Sequence, residues 1–377
     1  MFYSTSKHTW LHLAVIFGFG SYLYSRYTKN KARETFSVEM AVWDAWTKLI
    51  EYPPIQFRKM VVGINTNVDI VVSGTQLLNR LNATPGAGSD HDVIDSLEHL
   101  QETFAYNFGY GSPAERYTSD SKLFESALKV VEREINREYT IGGNAANMAQ
   151  KISSSYSHCT VILVGPIGPR AKALLHPGII THNSTRISKD EMHIIMEYKQ
   201  GEIWGDFVAP SSSRFITSHD VFSGSSVVMD MFFNAIASYK PDLVILSGVH
   251  LLENQPADLW QEKLRQLKRS LGQINPKLPI HLELGSIADG NFGKHVMNRI
   301  IPYVDSLGLN EQELAFLSRT NGGPYPDVSP RAGSIHAYKA VEIIYWMLTN
   351  FENSLPLPHF PHDRKFTGNN NSALYKR

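Results

Sequence analysis

The spacing of apolar residues along this chain changes near residue 220. Before that point short β-branched runs are broken by polar positions. Beyond it, unbroken apolar runs alternate with stretches of helical period. Residues 241–248 (P-D-L-V-I-L-S-G), 279–284 (P-I-H-L-E-L) and 304–309 (V-D-S-L-G-L) predict buried strands. Residues 255–271, 291–301 and a stretch beginning at Glu311 predict the helices that follow them. Near-continuous apolar strands alternating with helices indicate βαβ units in a parallel sheet with right-handed crossovers. This part of the chain predicts three or four parallel strands. Residues 337–350 predict a last amphipathic helix, and residues 355–377, rich in Pro, Asn and charge, predict a disordered tail.

The first half reads differently. Residues 59–73 (K-M-V-V-G-I-N-T-N-V-D-I-V-V-S) predict a strand interrupted by Asn65, Asn67 and Asp69, which alternation puts on one face. That row offers donors and acceptors suited to sugar hydroxyls, and is equally compatible with a wet sheet face. Residues 81–90 are a loop by their Pro and Gly, and 93–108 predict a helix. The following G-Y-G-S-P-A-E-R-Y is a turn that delivers Glu115 and Arg116. At 141–152 (I-G-G-N-A-A-N-M-A-Q-K-I) two glycines permit a tight turn and close backbone approach, and helix-start amides then point at whatever occupies it. Residues 160–165 predict a buried strand. Residues 191–198 and 202–204, separated by Gln200-Gly201, predict a hairpin carrying His193 and Glu197, and 214–219 predict another strand. His193 is open to two readings, a satisfied core histidine or a ligand contact.

The N-terminus stands apart. Residues 10–24 form an apolar run followed by Arg26, Lys29, Lys31 and Arg33. It is shorter than the roughly 20 residues of a firm membrane span. It suits a signal-peptide core or a signal anchor, and with no clear cleavage site and basic residues after it, an uncleaved anchor with the bulk of the chain on the cytosolic side. An amphipathic or buried helix is the alternative. Expected localisation is endoplasmic-reticulum-associated, with secreted or cytoplasmic as alternatives. Residues 38–52 predict a short linker helix stopped by Pro53-Pro54. The sequons at Asn82, Asn183 and Asn370 matter only if the chain enters the secretory lumen.

Composition narrows the function classes. Lys+Arg 36 balances Asp+Glu 36, so no net field favours nucleic acid. One cysteine, Cys159, excludes an intramolecular disulfide and a thiolate zinc cluster. The chemistry centres on acids at strand ends. Glu283 closes one predicted strand, and Glu311 and Glu313 open the helix after the next. Ligands of parallel α/β sheets bind beyond the carboxyl ends of strands. Two acids there fit a hydrated Mg²⁺ carrying substrate phosphates. The other reading is that negative charge merely favours a helix N-terminus.

Eight ordered motifs carry a resemblance: N-T-N-V-D, S-P-A-E-R-Y, G-G-N-A-A, H-I-I-M-E-Y-x-x-G-E-x-W-G, R-F-I-x-S-H-D, P-D-L-V-I-L-S-G, H-L-E-L and S-L-G-L-N-E-Q-E. Across residues 38–350 the chain resembles the ADP-dependent glucokinases, members of the ADP-dependent sugar kinases in the ribokinase superfamily. The resemblance implies an α/β fold: a ribokinase-like parallel sheet flanked by helices, incomplete at the C-terminus, and a smaller strand-rich lid. The expected division is 1–36 signal or anchor, 37–58 linker helix, 59–220 mainly lid and sugar-binding region, 221–354 large α/β portion and 355–377 a tail outside the family sequence. It implies phosphoryl transfer from ADP to the 6-hydroxyl of glucose with Mg²⁺, by a monomer. By matching motif, the glucose contacts are Asp69, Glu115, Gly142, Gly143, Asn144 and His193, and the magnesium-side residues are Glu283 and Glu313. The family's catalytic aspartate lies in a G-x-G-D loop, a sequence that does not occur in these 377 residues. The expectation is an impaired or inactive enzyme with an unpaired sheet edge and a bare apolar face. A non-catalytic sugar-binding or regulatory protein, or an ATP-using ribokinase-type kinase, are the alternatives.

Overall fold

A computed structural model describes residues 57–134, 136–182, 185–327 and 335–352, together with Arg26, Lys29, Met40 and Ala41. The chain divides into two compact units, Met1–Gln56 and Phe57–Arg377. Of the first unit only those four residues are described, each helical. The expected anchor at 10–24, most of the linker helix at 38–52 and the tail at 355–377 lie outside the described residues. No helix among the described residues is long and apolar enough to cross a membrane.

Among its described residues, the second unit forms two six-stranded sheets and a two-stranded ribbon. Its strands in chain order are β1 (Lys59–Ile64), β2 (Asn67–Ser73), β3 (Val93–Ile94), β4 (Ala114–Thr118), β5 (Glu138–Gly142), β6 (Thr160–Val164), β7 (Ile179–Thr181), β8 (Met192–Tyr198), β9 (Ile203–Trp204), β10 (Phe207–Val208), β11 (Ser213–Ser218), β12 (Leu243–Ser247), β13 (Ile280–Glu283) and β14 (Ser306–Gly308). The central sheet has the order β14-β13-β12-β1-β6-β7, and every pairing in it is parallel. It is therefore wider than the three or four strands expected, because β1, β6 and β7 join it from the first half of the chain. From β1 the chain builds outward to β6 and β7 and later returns to lay β12 on the other side of β1. The crevice between the carboxyl ends of β1 and β12 is thus the topological switch point.

One face of this sheet packs Val61, Ile162, Val244, Leu246 and Leu282 against helices Ser226–Tyr239, Ala257–Gln273, Gly290–Arg299, Glu311–Thr320 and Ala337–Glu352. The other face packs Met60, Val62, Leu163 and Ile245 against Ala145, Ala146 and Ala149 of helix Asn144–Ser155. Three alanines in that helix let its backbone lie close to the strands. On β13 and β14 one face carries His281 paired with Ser306 and Glu283 paired with Gly308. Exposed apolar surface lies on helix Ala337–Glu352, where Tyr338, Val341, Tyr345 and Leu348 form an outward stripe at helical spacing.

The second sheet has the order β3-β4-β11-β8-β2-β5 and mixed pairing. Three local expectations are corrected here. Residues 59–73 do not form one strand: the chain leaves the central sheet after Ile64 and enters the second sheet at Asn67. The segment carrying Glu115 and Arg116 is strand β4, not a turn, paired parallel to β11. The hairpin joining 191–198 to 202–204 does not form. β8 takes β11 as its antiparallel partner, and β9 pairs with β10. Longer apolar strands offer more cross-strand contacts than a two-residue ribbon can, so β11 outcompetes β9 for β8.

Among the described residues the chain passes between the two sheets four times: at residues 65–66, at 142–143, between β7 and β8, and between β11 and helix Ser226–Tyr239. Two side chains tie these passages together. Asn65 accepts the Ala145 amide on Oδ1 at 3.0 Å, joining the first passage to the second. Glu191 gives its carbonyl to the Val68 amide at 2.8 Å and its carboxylate to the amides of Val221, Phe222 and Ser223. Below these joints, Phe232 is fully buried where a Cβ on Gly63 would meet its ring. Phe232→Ala is expected to lower unfolding free energy by about 3–5 kcal/mol in urea titration. A loss below about 1 kcal/mol would show that this joint is not close-packed.

Candidate functional site

Strand register fixes which side chains share a face. Val68, Ile70, Val72, Ile194, Met196 and Phe215 point into a core with helices Gly74–Arg80, Leu97–Tyr110 and Ser121–Glu134. The alternate positions face the other way. Asp69 pairs with His193, His193 with Ser218, and Ile216, two residues before Ser218, with Glu115. Asn67, Asp69, His193 and Glu115 therefore lie on one polar face. Asn67 donates from Nδ2 to Asp69 Oδ1 at 2.6 Å. Gly142, opposite Asn67, completes the row; a Cβ there would collide with Asp69 Oδ1 and Asn67 Nδ2. Gly143 follows with φ +81°, and its added Cβ would meet the Asn65 carbonyl. Asn144 then opens a helix whose N-cap has no side-chain bond. All six expected sugar-side residues thus fall in one region.

His193 is the electrostatic centre of this face. Its Nε2 lies 2.9 Å from Asp220 Oδ2, and its Nδ1 lies 3.8 Å from Glu115 Oε1. Burial disfavours the imidazolium, but the carboxylates of Asp220, Glu115 and Asp69 outweigh it and raise the His193 pKa to about 10. Burial likewise pushes the Asp69 carboxyl up, while His193 and the Asn67 bond pull against that rise. The face therefore presents a cationic donor between carboxylate acceptors, the complement of a polyol.

At the switch point β1 is followed by Asn65 and Thr66, and β12 ends at Ser247, followed by Gly248, Val249 and His250. The hydroxyls of Thr66 and Ser247 are buried without a hydrogen-bond partner, a rare and costly state that a ligand's polar atoms could relieve. His250 accepts or donates at Nδ1 with the Leu284 carbonyl at 3.2 Å, and burial lowers its pKa below the ordinary value. Glu115 and His193 also act on His250, so the polar face of the second sheet and the carboxyl edge of the central sheet share one electrostatic environment.

Glu283 ends β13, and Glu313 lies in the first turn of helix Glu311–Thr320, directly after β14. Adjacent strands thus bring the two acids to the same edge. Glu313 also performs the simpler task open to it. With Asn310 it forms a capping box, accepting Asn310 N on Oε2 at 2.9 Å while Asn310 Oδ1 accepts the Glu313 amide at 2.9 Å. Burial raises the Glu313 pKa, the Asn310 bond opposes this, and the Glu283 charge adds to it. Glu283 Oε2 is 3.4 Å from His281 Nε2, whose Nδ1 meets Ser306 Oγ at 2.6 Å. Two crowded carboxylates at a strand edge are hard oxygen donors that fit a hydrated Mg²⁺ completed by water and phosphate. The described residues hold no group of three or more His, Cys, Asp or Glu able to close a metal cage.

Comparison with known proteins decides the family. The conserved region of ADP-specific phosphofructokinase/glucokinase matches residues 58–371, which includes most of the segment expected to lie outside the family sequence. A probable ADP-dependent glucokinase of Caenorhabditis elegans is 51% identical over 346 residues, and the ADP-dependent glucokinase of Bos taurus is 36% identical over 305 residues. The chain belongs to the ADP-specific phosphofructokinase/glucokinase family. The alignments cover 92% and 81% of this chain and 69% and 61% of those relatives. A solved ADP-dependent kinase in complex with fructose-6-phosphate and ADPβS superposes with TM-score 0.62 at 18% identity, covering 80% of this chain and 66% of that one. At that identity the match concerns the fold, and it agrees with the expected parallel sheet flanked by helices.

Within this member of the family, three residues of the site escaped sequence reasoning. Asp220 looks like an ordinary loop acid, Glu191 like the solvated first residue of a predicted strand, and the partnerless hydroxyl of Ser247 sits inside an apolar run. Only the S-H-D motif hinted at Asp220. Two outcomes are expected. Gly142→Ala forces Asp69 and Asn67 aside and weakens sugar binding at least tenfold in calorimetry, whereas unchanged affinity would remove Gly142 from the site. His193 keeps its proton to about pH 10 when folded, against an ordinary 6.5. Its charge therefore stabilises the fold fully below about pH 6.5, and that contribution is lost as pH rises through about 10. His193→Gln should flatten the fall of unfolding free energy between these limits by about one proton, and an unchanged slope would contradict the charge assignment.

Proposed function

We propose that this chain binds glucose on the polar face of its second sheet and takes part in phosphoryl transfer from ADP to the sugar's 6-hydroxyl. The observation that carries this reading is the shared face of Asp69, Glu115 and His193, turned toward the switch point of a parallel sheet. Asp69 and Glu115 accept from sugar hydroxyls, and the His193 imidazolium donates to one. Gly142 and Gly143 leave room for the ring beside the backbone, and at the start of helix Asn144–Ser155, where Asn65 takes the Ala145 amide, the Asn144 side chain adds a donor and an acceptor. Each such bond, lost singly, leaves a buried partner unpaired, which costs more than the bond itself contributes.

Phosphoryl transfer needs alignment and charge neutralisation more than covalent help. Glu283 and Glu313 would hold Mg²⁺ at the strand edge, where the ion supplies charge to the phosphate oxygens. Glu313 can do this while capping its helix, because a carboxylate has more lone pairs than Asn310 uses. The proton of the 6-hydroxyl also needs an acceptor. The resemblance assigns that role to a G-x-G-D aspartate, and these 377 residues contain no such sequence. We therefore propose that the chain binds sugar but turns over slowly. A positioned general base typically contributes about 10²–10⁴-fold.

We also propose that residues 10–24 associate the protein with the endoplasmic reticulum membrane and that it acts as a monomer; the apolar run followed by basic residues supports the first. The deciding experiment pairs calorimetry with glucose against glucose 6-phosphate formation from ADP and Mg²⁺. Sugar binding with turnover about 10²-fold or more below a full-length relative is expected. No glucose binding would overturn the sugar assignment, and turnover equal to the relative's would overturn the impairment.

A further inference from the structure

Two buried acids near the polar face are not among the residues assigned to touch a ligand. Glu191 is 7% exposed and stands just before β8. Its carboxylate accepts the amides of Val221 at 2.7 Å, of Phe222, and of Ser223 at 3.1 Å, together with the Ser223 hydroxyl at 2.5 Å. These donors belong to the passage that carries the chain from β11 to helix Ser226–Tyr239. Asp220 is the residue immediately before them, and its side chain is 3% exposed. Both Asp220 oxygens lie within hydrogen-bond range of His193 Nε2, at 2.9 and 3.1 Å. One carboxylate therefore grips the connecting peptide, and the peptide presents a second carboxylate to the histidine.

The consequence is directional. With Nε2 committed to Asp220, the only ring nitrogen left to His193 is Nδ1, which faces Glu115 Oε1 at 3.8 Å. That separation is too long for a good bond, so both atoms remain available to a hydroxyl placed beside the pair and within reach of each. We propose that Glu191, by holding the amides of residues 221–223, positions Asp220, and that Asp220 fixes His193 as a hydrogen-bond donor to a ligand hydroxyl shared with Glu115 and Asp69. Glu191 and Asp220 are positioning residues: neither touches the sugar. Their role toward the ligand rests on the glucose reading above, whereas their hold on the His193 proton does not.

The groups facing His193 are Asp69 from β2, Glu115 from β4, Asp220 from the connecting peptide and His250 from beyond β12. Asp69, Glu115 and Asp220 favour its protonated form, and burial opposes it. Removing the Asp220 charge takes away the carboxylate in direct contact. Loosening the peptide at Glu191 should act in the same direction with a smaller effect.

The test uses the full chain as wild type, Asp220→Asn and Glu191→Gln. Glucose affinity is measured by calorimetry at pH 6, 7.5 and 9, and the His193 imidazole is titrated by NMR without sugar. Wild-type affinity should stay level across this range. In Asp220→Asn it should fall about tenfold between pH 6 and pH 9, with a smaller fall of the same sign in Glu191→Gln. The His193 midpoint should drop by about two units in Asp220→Asn and by about one in Glu191→Gln. A merely structural role would lower affinity by the same factor at every pH and leave the midpoint unmoved, and that result overturns the proposal. If Asp220→Asn does not fold, Glu191→Gln carries both measurements. If the wild type takes up no glucose, the sugar reading fails, and the midpoint alone decides: a drop upholds the positioning chain and no drop refutes it.

Discussion

A single imidazolium enclosed by carboxylates governs how this molecule is put together. Removing an ion from water costs several kcal/mol even after the protein relaxes, so buried charges persist only when paired. Here Asp69, Glu115 and Asp220 converge on His193 from two strands and a connecting peptide, and each needs the histidine's proton as much as the histidine needs them. An apolar replacement of similar shape would stabilise the sheet at least as well. What charge provides is a face with defined donors and acceptors, suited to a hydroxyl-rich ligand.

The same requirement shapes the backbone. A site spread over two sheets needs their connections fixed, and four passages between sheets would otherwise be four loose loops. Asn65 and Glu191 tie these passages together with bonds to main-chain amides, which side-chain rotation cannot release as easily as a surface ion pair. Gly142, Gly143 and Gly248 lie where the strands converge, and each is in a spot where a side chain would strike Asn65, Asn67 or Asp69. Capping of helix Glu311–Thr320 by Asn310 and Glu313 follows the same economy, since one carboxylate serves both a helix start and the acidic edge.

Much of this was legible in the sequence. The βα alternation beyond residue 241 announced β12, β13, β14 and their helices, because buried parallel strands are unbroken apolar runs of β-strand length. The acids at strand ends were equally visible. The split of 59–73 between two sheets was not, since Asn65 and Thr66 fit a polar-faced strand as well as a crossing. Nor was the pairing of β8 with β11, which depends on a partner over ten residues further on rather than on the nearby Gln200-Gly201 turn. Asp220 and Glu191 were hidden for a related reason. An acid in a connection or at the first position of a strand reads as solvated until tertiary structure buries it, and nothing local distinguishes either from Asp206 or Glu202.

The most direct test of the whole account is a crystal structure of the chain with glucose. The sugar is expected on the polar face of the second sheet, with hydroxyls bonded to Asp69, to Glu115 and to Nδ1 of His193. Glucose in the cavity of about 560 Å³ lined by Glu132, Arg170 and Lys189, on the opposite side of that sheet, would contradict it, as would a polar face that stays free of sugar at saturating concentration.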